Sequence, residues 1–323
     1  MQSNYVYPPS SAGGVSDSSL AFLKESGQAR LTEATLTLTG DWGGNGFRID
    51  GGAGDFYKVA MASDSWKGPN QYISQAYVFG KPFGDLPIRV EAGKFFSSVG
   101  AEVPQSSEDF NISRSLLFVY GSPVYHVGVQ ASGPVTSTIT AGAQLLSGVN
   151  TVTGAHGHQT MAYTATQTEK RWGWSEIYMG GDEKFVGRGW RQLSDSVLTL
   201  SPSGKVSAYV EFLGALEKRV TRGYDRWFGF ASAWKFSPID KWSISPRVEW
   251  FDDPTGATSG TAQHVAEFTL TGEYRPTRFA IARLEYRADR SSMPFFPGTS
   301  IDAPVRGRQL LIAGITLVLK HGM

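Results

Sequence analysis

Side chains that ionise, ligate or attack are the ones that could do chemistry, and the chain has no cysteine among its 323 residues. That removes disulfides, thiolate metal sites and thiol nucleophiles. The five histidines offer two arrangements. His156 and His158 form a His-Gly-His pair in a stretch rich in Gly and Thr, without nearby carboxylates, which reads as a solvated loop and not a metal site. His126 lies on the same side as Gln130 and could in principle work with a serine. No Gly-x-Ser-x-Gly elbow and no adjacent acid accompany it. The chain is therefore read as a non-enzyme, with no catalytic, cofactor-binding or metal-ligating set and no cofactor.

The charged residues form a different pattern. Arg89, Glu91, Arg247, Glu249, Glu267, Glu273, Arg283, Glu285 and Arg287 recur at alternate positions of otherwise apolar segments. Such rows suit the polar wall of a channel, where fixed charges set the barrier for each sign of solute. Facing Arg and Glu rows could equally neutralise one another and stiffen the wall. Their mixed signs point to weak ion selectivity. Glu108 and Asp109, with Arg114 close by, sit in a long aperiodic stretch and are candidates for a constriction loop folded into the lumen; a solvated loop face is the alternative.

These side chains must be positioned by strands. No apolar run reaches the roughly 18 residues a spanning helix needs, so a membrane role would have to use strands. Period-2 alternation in segments of roughly ten residues, the length of a tilted membrane strand, supplies them. Between 241 and 251, Trp242, Ile244, Pro246, Val248 and Trp250 fall on one face and Ser243, Ser245, Arg247 and Glu249 on the other. The same holds in 263–274, with Ala266, Phe268, Leu270 and Tyr274 against Glu267, Thr269, Thr271 and Glu273, and in 278–289, with Ala282, Leu284 and Tyr286 against Arg283, Glu285 and Arg287. Further segments lie at 30–39, 87–95, 123–132, 137–146 and 205–213, and weaker ones at 45–53, 71–79, 159–168, 172–180, 193–201, 225–236 and 309–319.

Connections give an independent sign. Short turns such as Ser201-Pro202-Ser203-Gly204 and Arg275-Pro276-Thr277 alternate with longer loops, expected at 96–122, 147–158, 181–192, 214–224, 252–262 and 289–308. The predicted fold is all-β: a transmembrane antiparallel up-and-down β-barrel of about 15–16 strands. One domain is expected over 29–323, with 1–28 as an N-terminal loop or frayed segment. Strand parity leaves open that the first strand is missing. No signal peptide is visible in this chain.

A net charge of +1, from 30 basic and 29 acidic residues, with no basic run, gives no pointer to nucleic acid. The expected partners are outer-membrane lipid and small polar solutes or ions, and a homo-oligomer is compatible. Trp242, Val248 and Leu284 discriminate between readings: outward in a lipid-embedded barrel, they would face a dry core in a soluble or surface β-barrel that binds a ligand. A non-conducting outer-membrane scaffold or adhesin is the third reading.

The stretch from Gln75 to Asn150 resembles the OmpL-like β-barrel porins of Gram-negative bacteria. It reads Gln75-Ala76-Tyr77-Val78, Glu91-Ala92-Gly93-Lys94-Phe95, Gly100-Ala101-Glu102-Val103, Asn111-Ile112-Ser113-Arg114-Ser115-Leu116-Leu117-Phe118 and Pro123-Val124-Tyr125-His126-Val127-Gly128-Val129. The resemblance implies a bacterial outer-membrane barrel of about 16 strands conducting small solutes. The end of the chain, Leu319-Lys320-His321-Gly322-Met323, departs from the terminal aromatic usual in such barrels.

Overall fold

The structure, a computed structural model, describes residues 2–7, 20, 23, 27, 29–61, 69–150, 159–182, 188–219, 223–298 and 303–319. Its strands are β1 (Gln2–Tyr7), β2 (Ala29–Trp42), β3 (Asn45–Ala53), β4 (Ile73–Gly80), β5 (Arg89–Phe96), β6 (Tyr125–Pro134), β7 (Ile139–Leu146) and β8 (Thr160–Thr168). They continue as β9 (Trp172–Asp182), β10 (Arg188–Ser203), β11 (Val206–Arg219), β12 (Tyr224–Ile239), β13 (Trp242–Asp253), β14 (Gln263–Thr277), β15 (Ala280–Ser291) and β16 (Gly307–Leu317). Each pairs antiparallel with its neighbours in the chain, and β1 also pairs with β16, which closes the sheet into a barrel.

The first strand corrects two expectations. Residues 2–7 are not loop, and the place beside β2 is filled: Gln2–Tyr7 pairs with β2 on one side and β16 on the other. The segment is only six residues long, too short for its alternation to stand out, although its Tyr and Val favour strands. Most of 8–28 lies outside the described residues, as do His156 and His158.

Closing the ring demands that every backbone group in the wall be bonded to a neighbouring strand, the condition for a sheet in hydrocarbon. Tight turns join the strands at one end. Between β2 and β3, Gly43 and Gly44 hold φ of 68° and 90°, the left-handed pair that a two-residue hairpin matching the strand twist requires. At the other end, the loops expected at 181–192 and 214–224 are mostly strand, because β9 runs to Asp182, β10 starts at Arg188 and β11 runs to Arg219. Strands of 14 to 16 residues exceed the roughly 9–11 needed to cross the bilayer, so this side of the barrel continues beyond it.

Side-chain alternation orients the wall. Trp242 and Leu284 are 52% and 55% exposed on the outside, whereas Arg247 and Arg287 are fully buried on the inside. The outward set is apolar and ringed by aromatics near the turns, with Trp242 stacked on Tyr274 at 4.5 Å. That is the surface lipid requires, not the dry interior of a soluble binder. The apolar core lies within the barrel, where Leu116 and Leu117 pack with Ile177, Leu213, Trp227 and Phe251.

Candidate functional site

The segment 97–124, between β5 and β6, folds into the barrel. Its two ends are pinned together where Ser97 N–H donates to Val124 O at 3.0 Å. His126, fully buried, ties the same corner: its Nδ1 meets Gly148 O and its Nε2 meets Ser97 Oγ, both at 3.1 Å. A carbonyl can only accept, so Nδ1 carries the proton and Nε2 accepts from the serine hydroxyl. No carboxylate joins the pair among the described hydrogen bonds, and it serves as a clamp.

A loop inside a barrel must find partners for its backbone. Here the wall charges supply them. Glu285 accepts Ile112 N–H at 2.6 Å and Ser113 N–H at 3.0 Å, and Glu249 accepts Leu116 N–H at 2.6 Å. The guanidinium groups take the carbonyls. Arg283 donates to Ser106 O and Asp109 O at 2.7 and 2.8 Å, Arg247 to Ser113 O at 2.8 Å and Arg287 to Arg114 O at 2.7 Å. Glu267 and Glu273 stand behind, paired with Arg247 at 3.1 Å and with Arg283 at 2.7 Å. Charge-assisted bonds of this kind are the strong class.

Within the loop, Arg114 pairs with Asp109 and donates to Pro104 O. Burial pushes the Asp109 carboxyl up to about 7, with Arg114 beside it pulling the other way. Glu108 is exposed. The expected constriction trio is thus split: two members brace the loop and one meets water.

The opposite wall is different. On β14 the inward positions are buried without a break from Gln263 to Glu273, while on β2 Thr37 and Thr39 are exposed on the inside and Leu36 and Leu38 on the outside. A wall open on both faces borders lumen on one side. Arg48 and Arg89 stand on this inner face with side chains 33% and 35% exposed, while their partners Asp50 and Glu91 are 0% and 16% exposed. Of the expected wall charges, Arg89 and Glu91 border this open half. The other seven, Arg247, Glu249, Glu267, Glu273, Arg283, Glu285 and Arg287, lie buried on the loop side.

Sequence reasoning missed Glu102, which joins Arg247 at 2.5 Å, Ser115 N–H at 2.7 Å and Tyr209 at 3.3 Å. It also missed Asp195, whose strand reverses the usual polarity: Leu193 and Val197 point inward and Gln192 and Ser194 outward. An acid between two inward leucine and valine positions was the available signal. Among the described residues, no group of three or more His, Asp or Glu is placed to hold a metal.

A closed antiparallel barrel with apolar exterior and an inserted loop defines the porin class of outer-membrane proteins. The sequence model of the family described as "Putative beta-barrel porin-2, OmpL-like" matches residues 6–317, and the chain belongs to that family. Solved structures share the fold. The outer membrane channel DcaP of Acinetobacter baumannii aligns with a TM-score of 0.64 at 12% identity, covering 98% of this chain and 94% of that one. A loop L8 deletion mutant of OmpT from Vibrio cholerae gives 0.63 at 11% identity, covering 98% and 96%. The anion-selective porin from Comamonas acidovorans gives 0.60 at 12% identity, covering 98% and 96%. No curated protein matches the chain.

Proposed function

We propose that this protein is an outer-membrane channel for passive diffusion of small polar solutes and ions, without catalysis. The observation that carries this reading is the one-sided lumen. The inner face of β2 is exposed at Thr37 and Thr39, while the inner face of β14 is buried beneath the inserted loop. The loop acts as the constriction by filling the β10–β15 half, and solutes pass along the wall of β2 to β6.

Arg48 and Arg89 present guanidinium groups to that path with their carboxylates tucked behind, so the path favours anions modestly. One fold relative, the anion-selective porin from Comamonas acidovorans, is consistent with this sign. A trimeric form of OmpT from Vibrio cholerae makes a homo-oligomer a reasonable assembly for this chain too.

Liposome swelling tests the reading. Vesicles carrying the refolded chain should swell in iso-osmotic small sugars and ever more slowly as solute size rises. A folded, membrane-inserted chain that admits none of them would favour the scaffold.

A further inference from the structure

Where the loop leaves β5 it crosses two acids on adjacent strands. Asp195 on β10 accepts Gly100 N–H through Oδ2 at 2.7 Å, and Glu211 on β11 accepts Ala101 N–H through Oε2 at 3.1 Å. Register places them diagonally on one inner face, since Asp195 pairs with Leu213 and Val197 with Glu211. The residues are 2% and 1% exposed.

Each acid has one oxygen left over. Asp195 Oδ1 and Glu211 Oε1 are buried without a hydrogen-bond partner, and so is Ser122 Oγ where the loop returns. Ser122 Oγ and Glu211 Oε1 come together near Gly100, whose φ is 96° and whose N–H is held by Asp195. A Cβ built there would lie 3.5 Å from Ser122 Oγ, 3.7 Å from Glu211 Oε1 and 3.8 Å from the carbonyl oxygen of Glu102. No arginine or lysine bridges either acid among the described ion pairs, and Glu102's own carboxylate is already taken by Arg247, Ser115 and Tyr209. Two buried neighbouring carboxylates without a counter-charge require a positive species, a metal ion or a proton.

We propose that a hard divalent cation of the calcium type binds between Asp195, Glu211, Ser122 and the Glu102 carbonyl, stapling both arms of the loop to β10 and β11. The donor set is oxygen alone, with two carboxylates, a hydroxyl and a carbonyl, which suits calcium's flexible coordination. Absence of nitrogen and sulfur donors disfavours zinc or copper. Waters would complete the shell.

Terbium luminescence on the refolded full chain in detergent tests this, and it does not depend on conduction. Trp227 is a built-in sensitiser, since its Nε1–H donates to Gly121 O at 3.4 Å, next to Ser122. The expected result is saturable luminescence displaced by calcium, with a calcium Kd on the order of 10⁻⁴ to 10⁻³ M, as in extracellular modules. The double variant Asp195→Asn with Glu211→Gln should lose it. Ser122→Ala, which leaves both acids in place, should weaken binding about tenfold and decides the matter if the double variant does not fold. Absence of saturable binding would show that the two acids share a proton instead, and binding unchanged in the variants would place the ion elsewhere; either overturns the proposal.

Discussion

Arg247 Nη1 donates to Glu102 Oε1 at 2.5 Å, joining strand β13 to a loop residue 145 positions earlier in the chain. The same guanidinium reaches Glu267 and the carbonyl of Ser113, so one side chain binds wall and loop together. Both residues are almost wholly buried, and removing one partner leaves the others uncompensated. Arg247→Ala should lower unfolding stability by about 3–5 kcal/mol, measured by guanidinium titration in detergent, with flickering conductance as the loop loosens.

Arg48 should behave otherwise. Its side chain is one-third exposed and pairs with Asp50 at 2.9 Å on the open wall. Arg48→Gln should move the reversal potential, under a salt gradient, toward cations, with a smaller drop in unfolding midpoint than Arg247→Ala, because buried Asp50 loses its counter-charge but keeps the Gln75 amide. An unchanged potential would remove Arg48 from the conducting path.

Loop docking should depend on pH through Asp109. Its carboxyl titrates at about 7 in the docked loop because burial raises it, against about 3.9 for an exposed aspartate. A raised carboxyl pKa contributes stability that is fully present below the lower value and lost as pH rises through the higher one. Loop-opening events in single-channel records should therefore be more frequent at pH 8 than at pH 5. Asp109→Asn should flatten that dependence.

The outer surface carries its own test. Leu284 is 55% exposed and its strand neighbours Arg283 and Glu285 are buried. Leu284→Arg should cost about 2–4 kcal/mol if the position lies near mid-bilayer, read as a lower unfolding midpoint in lipid vesicles. An unchanged midpoint would mean that this face does not meet lipid.

The wall was legible because its signal is local. Alternation through Trp242, Ile244 and Val248 against Ser243, Ser245 and Arg247 gives strand, face and environment at once. Each of the weaker segments also forms a strand. What escaped were features without local period. β1 is too short to show one, and it is followed in the sequence by Pro8-Pro9, a pair whose composition favours turns. The far ends of β10 and β11, strands of 16 and 14 residues, project past the bilayer, so their glycines and charges read as loop. The role of the inward charges is a long-range property: Glu285 meets Ser113 across 172 positions, and nothing in the spacing of either segment reports that a loop will lie on that wall.

Single-channel conductance in a planar bilayer tests the half-filled lumen most directly. Wild-type chain should be compared with a variant in which residues 101–115 are replaced by a short glycine–serine linker. Reproducible steps from the wild type and clearly larger ones from the variant are expected, since the loop occupies the β10–β15 half. Steps of equal size from both would mean that the loop does not limit the pore, and silence from both, with barrels folded in lipid, would contradict an open path along β2 to β6.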